Sequence, residues 1–369
     1  MRLLFILLLS LWPLAVIADE TNAGSRLSEL LDADAAGFAK ALTPREFSFP
    51  QDHGPHPQFR NEWWYVTGNL DDASGRRFGF ELTIFRFSLT PEPPEQDSAW
   101  RTNQVYIAHL ALTDADRNRF YVAERFSRGA LSLAGAQAEP FRVWIDDWEI
   151  AADGDSDLWL IRAAGDEFAL DLELRPLKQP VLNGEQGLSR KSSSTDSASY
   201  YYSITRLGTE GVLTVAGVKY EVSGLSWLDR EWSTSALAPD QVGWDWFSLQ
   251  LDDGTDLMLY NIRRTDGTAD GKSSGTITFA DGASRGLQQE EFGIVVNDTW
   301  DSPEGGTYPS RWTISVPAQG LEIEISPVIA DQELFTTVRY WEGAVDISGT
   351  RHGEPVSGRG YVELTGYAD

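Results

Sequence analysis

Residues 63–86 read WWYVTGNLDDASGRRFGFELTIFR, and residues 244–264 read WDWFSLQLDDGTDLMLYNIRR. Each begins with an aromatic-led run that reaches Leu-Asp-Asp after the same interval, Trp63 to Leu70 and Trp244 to Leu251. Each then turns through a glycine and returns as an apolar run ending in arginine, at Arg86 and at Arg263-Arg264. Two extended apolar runs around Asp/Gly-rich punctuation mark a β-hairpin. Its recurrence about 180 residues further on predicts two related β-domains.

The rest of the chain fits that frame. From Glu46 onward the apolar period is two, as in Phe168, Leu170, Leu172 and Leu174, or Leu321, Ile323 and Ile325 with glutamates between. Such alternation belongs to half-buried strands. Further turns are signalled at Asp153-Gly154, Asp252-Asp253-Gly254, Asp266-Gly267 and Asp281-Gly282. Roughly 18–20 short strands are expected, in an all-β architecture of sandwich or barrel type. Gly208, Gly211 and Gly217 place the boundary, giving an N-terminal domain over 46–210 and a C-terminal domain over 211–369. Residues 189–199, SRKSSSTDSAS, read as an exposed flexible loop.

Ahead of the strands, Arg2, the apolar run Leu3–Ile17 interrupted by Pro13, and Val16-Ile17-Ala18 read as a secretory signal over 1–18, with the exported chain starting near Asp19. Residues 19–45 read as a helical leader. Leu27, Leu30, Leu31, Ala35, Phe38 and Leu42 fall at helical spacing behind Ser25, and Pro44 ends the pattern. The chain has no cysteine, which removes disulfides and thiolate metal sites, and its net charge of −26 disfavours nucleic acid and anionic membranes as partners.

Of the 14 tryptophans, all but Trp12 lie beyond the signal. Their flat faces suit a cavity for a long apolar ligand, and a barrel of about eight strands leaves room for one small ligand; the alternative is that they plug barrel ends. His53 and His56 offer either an Asp52–His acid–base pair or part of a metal site completed by His109, His352, Asp52 or Glu62. Ordinary hydrogen-bonded histidines are the preferred reading, and no metal or cofactor is expected. In GLSWLDREWS, residues 224–233, a strand would put Asp229 and Glu231 on one face and Arg230 and Trp232 on the other. Carboxylates against aromatic surface acquire raised pKa values and can donate protons, although an ion pair closing a barrel end is the alternative. The sequence contains no G-x-S-x-G, H-E-x-x-H, Walker or dinucleotide motif.

DHGPHPQFRNEWWYVTGNL, SYYYSITRL, GLSWLDREWS, GWDWFSLQLDDG, MLYNIRR, YWEGAVDISG and GRGYVELTGY together resemble the AttH/hydroxyneurosporene synthase-like family, whose members are often labelled predicted secreted hydrolases or carotenoid 1,2-hydratase-like proteins. The resemblance runs from about residue 45 to the C-terminus and implies two lipocalin-like antiparallel β-barrels side by side with an apolar ligand. Carotenoid hydratases add water across an isoprenoid double bond, which requires an acid and aromatic shelter for a cation. Where they carry a histidine, two positions before the tryptophan matched by Trp232, this chain has Arg230, which cannot release a proton.

Asp229, Glu231, Asp245 and Tyr260 are therefore the candidate catalytic groups. Glu62, Trp63, Trp64, Tyr65, Arg230, Trp232, Trp244 and Trp246 are the candidate ligand-binding residues. Arg230 would anchor an anionic headgroup or hold Asp229 ionised. The expectation is an exported protein that binds a lipid, isoprenoid or other long apolar molecule, with hydration or hydrolysis of it as the candidate activity. The competing readings are a non-catalytic carrier or chaperone serving an envelope transporter, and a structural protein whose tryptophans are core.

Overall fold

The structure, a computed structural model, describes residues 36–368 apart from 94, 96–97, 154–157, 195–196 and 235–236. The signal segment and most of the leader lie outside the described residues. The end of the leader is irregular, with a turn at Ala36-Gly37, and it buries Ala41 against the first core.

Strands β1 (Asn61–Asp72), β2 (Arg77–Ser88), β3 (Gln104–Asp114), β4 (Arg119–Arg128), β5 (Ala134–Ala138), β6 (Phe141–Ile145), β7 (Trp148–Ala152), β8 (Trp159–Ala164), β9 (Phe168–Pro176), β10 (Val181–Leu182), β11 (Leu188–Arg190), β12 (Ala198–Val215) and β13 (Val218–Ser233) form one antiparallel sheet. Its order is β4-β3-β2-β1-β13-β12-β9-β8-β7-β6-β5, with β10 and β11 also on β12.

A second antiparallel sheet takes β14 (Gln241–Leu251), β15 (Asp256–Arg264), β16 (Ser274–Thr278), β17 (Ser284–Gln288), β18 (Gly293–Asp301), β19 (Thr307–Val316), β20 (Leu321–Pro327), β21 (Glu333–Phe335), β22 (Arg339–Arg351) and β23 (Glu354–Thr365). Its order is β17-β16-β15-β14-β23-β22-β20-β19-β18, with β21 on β22. Both sheets curl, as a barrel and a half-barrel of lipocalin-like type.

The repeated hairpins are β1–β2 and β14–β15, and each occupies the same topological place. β1 pairs with β13 and β14 pairs with β23, so the first strand of each sheet pairs with its last. The glycine cluster at 208–217 does not mark the passage between sheets. It lies in the β12–β13 hairpin, whose Ala216-Gly217 turn has both residues at positive φ, and the chain crosses to the second sheet between Ser233 and Gln241.

Alternation assigns the faces. Trp64, Val66, Leu82 and Ile84 point into the first core, and Phe247, Leu249 and Leu251 into the second. Trp63, Tyr65, Trp244 and Trp246 therefore point outward, where each sheet packs on the other. Asn69 Nδ2 reaches Gly360 O at 3.0 Å, and Gln250 Nε2 reaches Thr205 O at 2.8 Å. Buried Asp256 accepts from Lys178 at 2.7 Å and from Arg206 at 2.6 Å. These bonds cross from sheet to sheet and leave little freedom for one to slide over the other.

Candidate functional site between the sheets

The register builds the site. Across the outer face of the first sheet, one cross-strand row runs Glu124, His109, Thr83, Tyr65, Asp229, Ser203, one residue from each of β4, β3, β2, β1, β13 and β12. The facing row of the second sheet runs Tyr260, Trp246, Glu363, Glu342, from β15, β14, β23 and β22. Between them lies a cavity of about 120 Å³ whose walls include Trp63, Tyr65, Phe85, Trp244, Trp246 and Tyr260, with Asp229, Glu231, Glu342 and Glu363 among its acids. The cavity expected inside a barrel is thus found between the sheets, because the interior of the first is filled by Trp64, Trp148, Trp232 and their neighbours.

In the cavity, Asp229 is held by three side-chain donors. Trp227 Nε1 donates to its Oδ1 at 2.7 Å, Ser203 Oγ donates to the same oxygen at 2.5 Å, and Tyr201 Oη donates to Oδ2. Trp246 Nε1, from the second sheet, donates to Tyr201 Oη at 3.0 Å. Burial drives the carboxyl pKa up, the three donors restrain it, and the balance falls at about 7. Glu363 is pushed by burial to about 8, although Trp244 Nε1 donates to it at 3.1 Å. Glu81 and Glu342 are raised well above the usual range, first by burial; a Thr83 hydrogen bond restrains Glu81 while the charge of Glu363 raises it further, and the charges of Glu363 and Glu81 raise Glu342 further. Glu81 Oε2 and Glu342 Oε1 have no hydrogen-bond partner among the described residues, as suits neutral acids. Tyr65 Oη donates to Glu342 Oε2 at 2.9 Å. An apolar cavity with several protonated carboxyls can deliver a proton to a weakly basic group.

The model of the AttH-like family matches residues 40–367, nearly the whole described chain. The chain belongs to the AttH-like family. The crystal structure of an AttH protein from Nitrosomonas europaea superposes with a TM-score of 0.80 at 35% identity, covering 90% of this chain and 100% of that one. Over 176 residues, 46% of the chain, it is 26% identical to kievitone hydratase of Fusarium solani subsp. phaseoli, and the match spans 49% of that protein, so about half the length of this curated relative. The crystal structure of kievitone hydratase from Nectria haematococca has a TM-score of 0.66 at 19% identity over 90% of this chain and 96% of that one, a likeness of fold.

This AttH-like chain divides its candidate residues between two places. Trp63, Tyr65, Asp229, Glu231, Trp244, Trp246 and Tyr260 all face the cavity. Glu62, Trp64, Arg230 and Trp232 leave the same strands in the opposite direction and do not line it. The Glu62 and Arg230 side chains are fully buried at one end of the first core, where Arg86 and Arg230 both pair with Glu62. Burial alone would raise the Glu62 pKa, and the two guanidiniums hold it far below its ordinary value instead. Arg230 also donates to Gly54 O at 2.6 Å and lies 3.9 Å from the Trp64 ring centre. It therefore neither anchors a headgroup in the cavity nor holds Asp229 ionised. Asp245 likewise turns away, to Arg263 and to Tyr367 Oη at 2.9 Å.

The histidines at 53 and 56 belong to that same plug. His56 stacks on Trp232 at 3.7 Å and bonds Asp52 through Nε2 at 2.9 Å, so the Asp–His pair forms, but away from the cavity. His53 Nδ1 lies 2.6 Å from Tyr202 Oη. No group of three or more His, Asp or Glu among the described residues is arranged to hold a metal.

The described residues of 189–199 do not form a free loop. The stretch begins in β11 and ends in β12, and it brings Lys191 and Ser199 to the cavity, with Lys191 Nζ 3.0 Å from Glu231 Oε1 and Ser189 Oγ 3.1 Å from Tyr260 Oη. Sequence reasoning did not find Tyr201, Lys191, Tyr340, Glu342 or Glu363. For Tyr201 and Tyr340 the signal was present as apolar and aromatic residues on both parities of a strand, as in YYYSI or YWEGAV, which marks a strand covered on both faces.

Proposed function

We propose that the cavity between the sheets takes the unsaturated end of an isoprenoid or similar apolar ligand and adds water across its double bond. The observation that carries this is Asp229, a carboxyl poised at about pH 7 in an aromatic wall. Its proton would form the new C–H bond with the alkene π pair, leaving a cation at the more substituted carbon. The aromatic faces of Trp63, Trp244 and Trp246 shelter that cation. Tyr201, Ser203 and Trp227 stabilise the carboxylate left behind, and water supplies the C–O bond. Family membership and the relatedness to kievitone hydratase support a hydratase-type reaction. Arg230, in the place of the hydratases' histidine, leaves the proton donor to Asp229.

The cavity is on the scale of one that holds a benzene ring, about 150 Å³. It fits the reacting end of a long molecule, with the remainder outside. We also propose that the protein acts outside the cytoplasm, on the strength of the Leu3–Ile17 run, in which case N-terminal sequencing of the native protein should begin near Asp19.

The test is incubation of the purified protein with acyclic isoprenoids, from citronellol to lycopene, in oxygen-labelled water, with mass spectrometry of the products. Labelled tertiary alcohols are expected. Retention of unaltered isoprenoid would instead identify a carrier, and neither binding nor turnover would leave the aromatic surfaces as packing.

A further inference from the structure

His109 has no part in the chemistry above, yet it is fully buried on the same cross-strand row as Asp229, with both ring nitrogens engaged. Nδ1 lies 2.6 Å from Tyr340 Oη, and Nε2 lies 3.2 Å from Glu124 Oε1. Glu124 is fixed in turn by Thr337, whose backbone N–H donates at 3.0 Å and whose hydroxyl donates at 2.9 Å. His109 and Glu124 belong to the first sheet, Tyr340 to the second and Thr337 to the turn between its β21 and β22, so the chain of bonds forms only when the sheets are docked. A buried histidine tying two sheets together would be explained by packing alone. Two facts go further: Tyr340 lines the same cavity as Asp229, and the order carboxylate, imidazole, hydroxyl is that of a base triad.

We propose that Glu124, His109 and Tyr340 form the base arm of the cavity's hydration, Tyr340 Oη taking the proton that the attacking water sheds. The proposal rests on the hydratase reading of the cavity. Asp229 gives its proton to one alkene carbon and becomes a carboxylate, and a water lone pair forms the C–O bond at the cationic carbon. As one O–H bond of that oxonium breaks, its proton passes to Tyr340 Oη while Tyr340's own proton passes to His109 Nδ1. The imidazolium formed has Nε2–H facing the Glu124 carboxylate, which stabilises it. Alkene and water have become alcohol, and one proton has moved from Asp229 to His109. It returns through solvent at Glu124, whose side chain is 26% exposed.

The phenol stays neutral throughout. That suits Tyr340, because burial, followed by the carboxyls of Glu81, Glu342 and Glu363, sets its ionisation well above the usual phenol value. A relayed proton avoids a phenolate that the site would not tolerate. Tyr340 is then the catalytic residue of this arm, and His109 and Glu124 position it.

The experiment uses the full protein with citronellol as probe. Tyr340→Phe and His109→Gln should lower kcat about 100-fold with KM within about three-fold, and Glu124→Gln about ten-fold. Nitrogen-resolved NMR of the wild type should show His109 protonated at Nε2 and accepting at Nδ1, a signature altered in Tyr340→Phe. If His109→Gln does not fold, Tyr340→Phe and the NMR measurement still decide the matter. Undiminished kcat in Tyr340→Phe, or a proton on Nδ1, overturns the triad while the hydratase reading stands. A wild type that hydrates neither citronellol nor lycopene overturns the hydratase reading, and the base role falls with it.

Discussion

Asp229 and Arg230 are adjacent in sequence, but their side chains leave β13 in opposite directions, and substitutions there should have opposite consequences. Asp229→Asn keeps the shape and most of the hydrogen bonding while removing the acid. It should lower kcat by about 100-fold or more and leave ligand affinity within a few fold, as steady-state kinetics and binding isotherms would show. An unchanged kcat would exclude Asp229 as the proton donor. Arg230→Met leaves fully buried Glu62 with Arg86 as its remaining guanidinium partner. Breaking a buried pair costs about 3–5 kcal/mol, so the urea midpoint should fall steeply, while the protein that stays folded keeps its turnover per molecule. A fall in turnover without a fall in stability would place Arg230 in the reaction after all. For the same reason Arg230→His should not create a new acid in the cavity, although it restores the residue type that the carotenoid hydratases carry.

The β12–β13 hairpin sets which residues face the cavity, because a slip of one residue would exchange Asp229 for Arg230. Its two-residue turn holds Ala216 at φ 50° and Gly217 at φ 78°, the left-handed pair that a type I′ connection requires. Alanine is strained there, so Ala216→Asn should raise stability by about 1 kcal/mol without altering activity; a loss in the urea midpoint would show that the turn is not the constraint. The hairpin itself was not legible, since the glycines at 208–217 set the expected domain boundary inside β12, but a period of two did separate Asp229 and Glu231 from Arg230 and Trp232. The repeat at 63–86 and 244–264 likewise located the strands that bring Trp63, Tyr65, Trp244 and Trp246 to the site. What alternation does not reveal is which face meets the partner sheet. Trp63 and Trp64 look alike in sequence, and only the docking of a second sheet makes one a cavity wall and the other core. Glu342 and Glu363 were missed for a related reason: each acid is flanked by uncharged neighbours in its own strand, and register alone places them side by side, with Glu342 opposite Tyr65.

At the scale of the whole molecule, the site loads the interface between the sheets with carboxyls that prefer to be neutral, and stability should record this. Glu363 has its pKa raised from 4.5 to about 8 and Asp229 from 3.8 to about 7, and Glu81 and Glu342 shift in the same direction. Between the unfolded and folded values the native state binds more protons than the unfolded chain, so these groups favour folding fully below the unfolded pKa and progressively less as pH rises through the folded one. Glu62 works in the other sense. Held ionised by Arg86 and Arg230, it stabilises the fold above 4.5, and that contribution is lost as pH falls below it. The two trends cross on the acid side of neutrality, which puts the expected maximum at about pH 5. Urea unfolding measured across the pH range should therefore show stability declining from that maximum to about pH 8, and Glu363→Gln should flatten the decline while leaving the acid limb intact. The decline belongs to the contact between sheets, so amide exchange should accelerate first at Tyr65, Asp229 and Glu342 as pH rises, once corrected for intrinsic exchange rates. A stability plateau from pH 5 to 8 in the wild type would mean that these carboxyls ionise without penalty. The proton-donating character assigned to Asp229 would then lose its physical basis.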